Sequence, residues 1–117
     1  MGGIRRGGGD FYGGGVGGGA AGGGKSHALR WDAYMRCLSV PHYRALLLRR
    51  TYPELENTHL ENVPVDQANG LPCEYLKSER KVRFGNGAVL QFGHCEDESA
   101  VAKYLSTEYD AIYFDEL

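Results

Sequence analysis

A chain of 117 residues, 42% hydrophobic and 24% charged, suffices for one small domain burying a little over about 60% of its unfolded surface. Its net charge of −2 excludes a global positive field toward nucleic acid, while leaving room for a local basic patch. The longest apolar run, residues 45–48, is far too short to span a bilayer, no apolar leader opens the chain, and Cys37, Cys73 and Cys95 read as reduced thiols of a cytosolic protein.

Fourteen of the 18 glycines fall in residues 1–24. By composition, residues 1–17 form a low-complexity tail. Residues 1 to about 10 are expected to be disordered, because glycine loses the most backbone entropy on ordering. Residues 26–39 read as a helix with Ala28, Trp31, Met35 and Leu38 on one apolar face and Pro41 as its stop. Trp31 and Met35 should then pack on a sheet. "YRALLLRRTY" is a continuous apolar run, as in a parallel strand covered on both faces. "PELENTHLENV" is a weaker helix carrying Leu55, Leu60 and Val63, and residues 64–76 read as an irregular connection broken by Pro64, Gly70 and Pro72. "RKVRFGNGAVLQFG" alternates on both sides of "GNG" and predicts a β-hairpin. Residues 97–108 predict a short helix with an acidic first turn, and "YDAIYFDEL" a strand ending in two carboxylates. Strands near 44–51 and 111–115 should run parallel, adjacent or one apart. The alternation points to an α/β fold.

Two motifs carry chemistry. Residues 19–26 fit G-x-x-x-x-G-K-[ST], from Gly19 through Gly24 to Lys25 and Ser26. A glycine loop can wrap a phosphate with backbone N–H groups, and a following helix N-terminus favours the anion. Gly19, Gly22, Gly23, Gly24, Lys25 and Ser26 are thus candidate nucleotide-binding residues, with Lys25 reaching the terminal phosphates and the Ser26 hydroxyl holding Mg²⁺. At the other end, Asp115 and Glu116 follow four apolar or aromatic residues. In a P-loop ATPase an Asp at such a strand tip holds Mg²⁺ through its water shell and an adjacent Glu can polarise the attacking water; a buried strand ending in solvated acids is the plainer alternative. Carboxyl ends of strands are where α/β sheets form ligand sites.

The blocks "GGAAGGGKSHALRWDA", "LLLRRTYPEL", "FGNGAVLQFGH" and "YLSTEYDAIYFDEL" together resemble the ATPase domain of a tailed-phage terminase large subunit, the DNA-packaging motor protein. The resemblance covers residues 18–117. It implies a RecA-like P-loop NTPase of the class with Glu after the Walker B Asp: an incomplete three-layer sandwich with a mainly parallel sheet and a β-hairpin insert. By this resemblance ATP and Mg²⁺ are the cofactors. Lys25 and Ser26 would bind phosphates and metal, Asp115 would hold the metal, and Glu116 and Lys25 would be catalytic. The family translocates double-stranded DNA into a procapsid in the bacterial host cytoplasm. Its partners are the portal protein and the small terminase subunit, its assembly is a homo-oligomeric ring, and no membrane is involved. The end at Leu117 reads as a truncation after the Walker B strand, before the nuclease domain, so this fragment is expected to bind nucleotide weakly and to turn over negligibly.

Arg49 and Arg50 close the central strand at the same sheet edge, as candidates for phosphate or DNA contact or as plain solvated arginines. Lys77, Arg80, Lys81 and Arg83 could track a DNA backbone or form a charged solvent face. "GHCED" lacks the paired spacing of a zinc site. His27, His42 and His59 read as surface or core histidines. Two alternatives stand beside the leading reading: another P-loop ATPase of helicase-like type, and a non-catalytic nucleotide-binding remnant.

Overall fold

The computed structural model describes residues 3–6, 9–13, 23–95, 99, 102, 104 and 109–115, the first two segments as backbone only. Among the described residues, seven strands form one mixed sheet. In chain order they are β1 (Gly3–Arg6), β2 (Gly9–Gly13), β3 (Arg44–Arg49), β4 (Glu74–Leu76), β5 (Lys81–Arg83), β6 (Val89–His94) and β7 (Ala111–Asp115). Fully described alongside them are the helices α1 (Gly23–Ser39), α2 (Tyr52–Thr58) and α3 (Val63–Ala68). The sheet order is β1-β2-β7-β3-β6-β5-β4.

The expected pairing of the two apolar strands holds: β3 and β7 are direct parallel neighbours, with Arg49 opposite Asp115. The sheet is parallel only at its centre, through β2, β7, β3 and β6, and antiparallel on both flanks. The hairpin forms as β5 and β6. Its turn locks onto the end of α1, where Asn86 Nδ2 donates to the Cys37 carbonyl at 2.9 Å and Asn86 Oδ1 accepts from the Ala88 N–H at 2.9 Å. Gly87, at φ +90°, lies so close to His42 that an added Cβ would stand 2.3 Å from the ring.

Burial explains the run in β3. Ala45 and Leu47 face one core with Ala33, Tyr34, Cys37 and Leu55, whereas Leu46 and Leu48 face a second with Cys95 and Ile112. A strand apolar on both sides needs no polar alternation. α2 is capped by Thr51, whose hydroxyl accepts from the Glu54 N–H at 3.3 Å. Leu55, Leu60 and Val63 are buried as expected, although the segment is broken into α2, a 3₁₀ turn at Leu60–Asn62 and α3.

Several expectations need correction. Gly3–Arg6 and Gly9–Gly13 are strands rather than disordered chain, and β2 runs parallel to β7. Otherwise the β7 edge would present a row of unpaired backbone groups, and β2 supplies their partners. Helix α1 begins at Gly23 instead of Ser26. Its buried face is turned from the one expected: Ala28 and Met35 are exposed, while Arg30, Ala33, Tyr34 and Cys37 are buried. Trp31 and Leu38 are partly buried against the core. Residues 64–76 contain α3 and β4, not an irregular connection throughout. Of the helix expected over 97–108, only Ser99, Ala102 and Tyr104 are described, and they are helical. All three cysteines are free thiols. No described helix is long and apolar enough to cross a membrane.

Candidate functional site

The first turn of α1 and the tip of β7 meet at one end of the sheet. Gly23, Gly24, Lys25 and Ser26 open α1, so their backbone N–H groups have no partner within the helix and sit at its positive end. Gly24 is exposed, and a Cβ added there would meet nothing within 4 Å. Protein packing therefore gives no reason for glycine at this position. Lys25 is half-buried and Ser26 is buried.

Asp115 ends β7 and is 1% exposed. A buried carboxylate needs partners. It has a cation on one side, where Arg49 Nη1 lies 2.9 Å from Oδ2. The same Nη1 donates to Ser26 Oγ at 3.3 Å. The in-register pairing of β3 and β7 sets Arg49 beside Asp115, and α1 delivers Ser26 to both. On the other side His59 Nε2 lies 2.7 Å from Oδ2. His59 is fully buried and stacks on Phe92, with ring centroids 6.0 Å apart.

Behind His59 the network continues. Arg30 Nη1 lies 3.3 Å from His59 Nδ1 and donates to the Thr58 carbonyl at 3.2 Å. Arg30 Nε donates to Asp66 Oδ2 at 2.7 Å, and Nη2 reaches Oδ1 at 3.4 Å. Arg30 Nη2 also lies 3.2 Å from His27 Nδ1. The Tyr34 hydroxyl donates to Asp66 Oδ2 at 2.8 Å. Arg30 and Asp66 are each 2% exposed.

Arginine can only donate, so His59 Nδ1 must accept, and the imidazole proton sits on Nε2 and is given to Asp115. Burial pulls the His59 pKa below its ordinary 6.5 and the Arg30 and Arg49 charges add to this, against the pull of Asp115. At neutral pH His59 is therefore a neutral donor, not a cation. Burial alone would raise the Asp115 carboxyl. The hydrogen bonds from His59 and Ser26, with the Arg49 charge, outweigh it and hold the group below its ordinary 3.8. Two anions, Asp66 and Asp115, thus balance two cations, Arg30 and Arg49, around one neutral ring.

Ser26 and Asp115 offer hard oxygen donors, the chemistry that suits Mg²⁺. Among the described residues no group of three His, Cys, Asp or Glu could hold a metal. A site completed by water and phosphate oxygens does not require one.

The structure therefore brings Ser26, Arg49 and Asp115 together at the first turn of α1, which Gly23, Gly24 and Lys25 share. Arg50 is exposed just past the end of β3. Gly19, Gly22 and Glu116 lie outside the described residues. The basic patch is partly offset by acids: Arg83 pairs with Glu74 at 2.8 Å and Lys81 with Glu79 at 3.0 Å, while Arg80 lies over the Tyr52 ring at 5.6 Å. That favours the charged solvent face. Sequence reasoning missed His59, Arg30 and Asp66. One signal was available: His59 falls four residues after Leu55 and four before Val63, on the same apolar face.

The family model for the terminase large subunit, T4likevirus-type, N-terminal, matches residues 16–117. No curated protein and no solved structure matches the chain significantly.

Proposed function

Because this chain belongs to the N-terminal family of T4-type terminase large subunits, and so to a DNA-packaging motor component, we propose that its sheet edge is the motor's ATP site, of P-loop type. One observation carries the reading. Ser26 at the start of α1 and Asp115 at the tip of β7 converge on a single cation, the Arg49 guanidinium, 3.3 Å from one and 2.9 Å from the other.

The residues divide the work as follows. The amides of Gly23, Gly24, Lys25 and Ser26, together with Gly19 and Gly22, cradle the phosphates. Lys25 neutralises the terminal phosphates. Ser26 and Asp115 would hold Mg²⁺, which would neutralise charge developing on the phosphoryl oxygens. With Mg²⁺ bound, Arg49 would be displaced from Asp115 and could meet phosphate, since two cations cannot share one place between the same ligands. Glu116, next to Asp115, orients the attacking water. Arg50, exposed at the same edge, is a second candidate for phosphate or DNA contact. Hydrolysis would drive double-stranded DNA through a ring of such subunits on the portal protein, with the small terminase subunit as partner, in the cytoplasm of a bacterial host. The family match favours this over the helicase-like alternative.

Binding of a fluorescent ATP analogue, alongside phosphate release, tests the reading. The expected result is weak Mg²⁺-dependent binding, abolished by Lys25→Ala, with negligible turnover from these 117 residues alone. Positioning and charge stabilisation do nearly all the work of phosphoryl transfer, and an arginine supplied in trans is worth about 10³–10⁵ in rate. In a chain extended beyond Leu117 that turns over, Glu116→Gln should stop turnover and spare binding. Binding left untouched by Lys25→Ala would refute the ATP site. Absence of turnover even in the extended chain would favour the non-catalytic alternative.

A further inference from the structure

His59 has no part in the chemistry above, yet its Nε2 lies 2.7 Å from Asp115 Oδ2, closer than Arg49. Its ring is fully buried, so water cannot replace its N–H. Three features single it out from an ordinary core histidine. Its donor atom is aimed at the strand-tip carboxylate at 2.7 Å. Its other nitrogen is held by Arg30, which fixes the tautomer that donates. Arg30 is in turn fixed by Asp66 and the Thr58 carbonyl. A core needing only to be filled would use an apolar side chain here and avoid burying four ionisable groups.

We propose that His59, braced by Arg30 and Asp66, is the positioning residue that aims Asp115 at the divalent cation beside Ser26. The proposal rests on the nucleotide-site reading above. A carboxylate on a strand tip can rotate about two side-chain bonds. In the structure Asp115 Oδ2 is held by Arg49 and by His59, and Ser26 also hydrogen-bonds the carboxylate. Once a cation takes over the role of Arg49, the His59 bond is what keeps the orientation. The α1–α2–α3 layer, and not the strand alone, then sets cation affinity. Hydrogen bonds that orient metal-binding side chains are typically worth about 10- to 100-fold in metal affinity.

The test measures affinity for the fluorescent ATP analogue in Mg²⁺ and in EDTA, using the whole 117-residue chain. The ratio of the two affinities is the readout, because lost folding lowers both alike. His59→Phe should cut the ratio about tenfold or more and leave binding in EDTA unchanged. His59→Gln, whose amide N–H can stand in for Nε2–H, should restore most of it. If His59→Phe fails to fold, His59→Asn replaces it; its shorter amide does not reach Asp115, and it should lower the ratio likewise. An unchanged ratio in the folded variant overturns the proposal while leaving the ATP site standing. If the wild type binds no nucleotide, the ATP reading fails, and a titration with Mn²⁺ alone decides: weaker Mn²⁺ binding by His59→Phe sustains the positioning role, and equal or absent binding overturns it.

Discussion

Replacing Asp66 with alanine should be among the most damaging single changes available in this fold. Asp66 is 2% exposed and accepts Arg30 Nε at 2.7 Å and the Tyr34 hydroxyl at 2.8 Å. Asp66→Ala leaves the Arg30 guanidinium, also 2% exposed, without a counter-charge and strands the Tyr34 O–H. Removing one partner of a buried pair costs about 3–5 kcal/mol. A small domain has about 5–15 kcal/mol in total. Asp66→Asn keeps an acceptor oxygen but not the charge, and should cost about 1.5–3 kcal/mol, the worth of charged hydrogen bonds. Replacing both partners, as Arg30→Met with Asp66→Leu, should recover much of the loss, because the desolvation cost of both ions disappears too, and leave about 1–3 kcal/mol for the stranded Tyr34 O–H. The chain reports on this itself: Trp31, its single tryptophan, stands edge-on to Tyr34 with ring centroids 5.1 Å apart. Urea unfolding followed by Trp31 emission should show the Asp66→Ala midpoint lowered by about 1.5–2.5 M, at an m-value of about 2 kcal/mol per M. A shift under about 0.5 M, or a double variant as unstable as Asp66→Ala, would refute the claim that the cost lies in an abandoned buried charge.

Two further outcomes are expected. Because the folded chain holds His59 below 6.5, the unfolded chain binds a proton that the folded chain refuses, so stability is level above about pH 6.5 and declines as pH falls below it. Asp115, held below 3.8, adds stability that is present above that value and lost only as pH falls through its lower folded value. Urea midpoints from pH 7.5 to 4.5 should therefore slope in the wild type and flatten in His59→Gln; equal slopes would contradict the assignment. Gly24→Ala should leave the urea midpoint unchanged or slightly raised, since the added methyl meets nothing within 4 Å and alanine suits a helix better. The same variant should weaken binding of the ATP analogue, and undiminished binding would remove Gly24 from the phosphate cradle.

The central strands were legible because burial on both faces leaves a plain mark. Leu46, Leu47 and Leu48 have no polar interruption, and Ala111 through Phe114 run straight into Asp115. The hairpin was legible for the opposite reason, its strict alternation about "GNG". Hydropathy misled in α1, where Met35 counts as core and Arg30 as surface. The structure reverses them because Asp66, thirty-six residues away, makes burial of Arg30 tolerable. No local pattern contains that information. The N-terminal strands were hidden by glycine, which weakens a strand by propensity. The edge of β7 supplied what composition lacked. The two ends of the site, Ser26 and Asp115, were readable as motifs. Arg49 was readable as a position, but its partners were not.

Taken as a circuit, the network closes. Ser26 touches Arg49, Arg49 touches Asp115, Asp115 touches His59, and His59 touches Arg30. Arg30 lies four residues after Ser26 on the same helix, about one turn. The ring therefore ties α1, β3, β7 and the turn after α2 through four side-chain contacts, closed by one turn of α1 backbone. A closed ring resists distortion differently from a chain of contacts, because shifting the start of α1 against β7 must strain both arms at once. One arm, through Arg49, is the arm that the proposed divalent cation would have to open to bind between Ser26 and Asp115. The other, through His59 and Arg30, stays closed while that happens. If a cation binds there as proposed, its entry would exchange one positive charge for another while the His59 arm kept the carboxylate and the helix in place. Such an exchange keeps the cost of reorganisation low, which is the condition under which a preorganised site favours the charges of phosphoryl transfer.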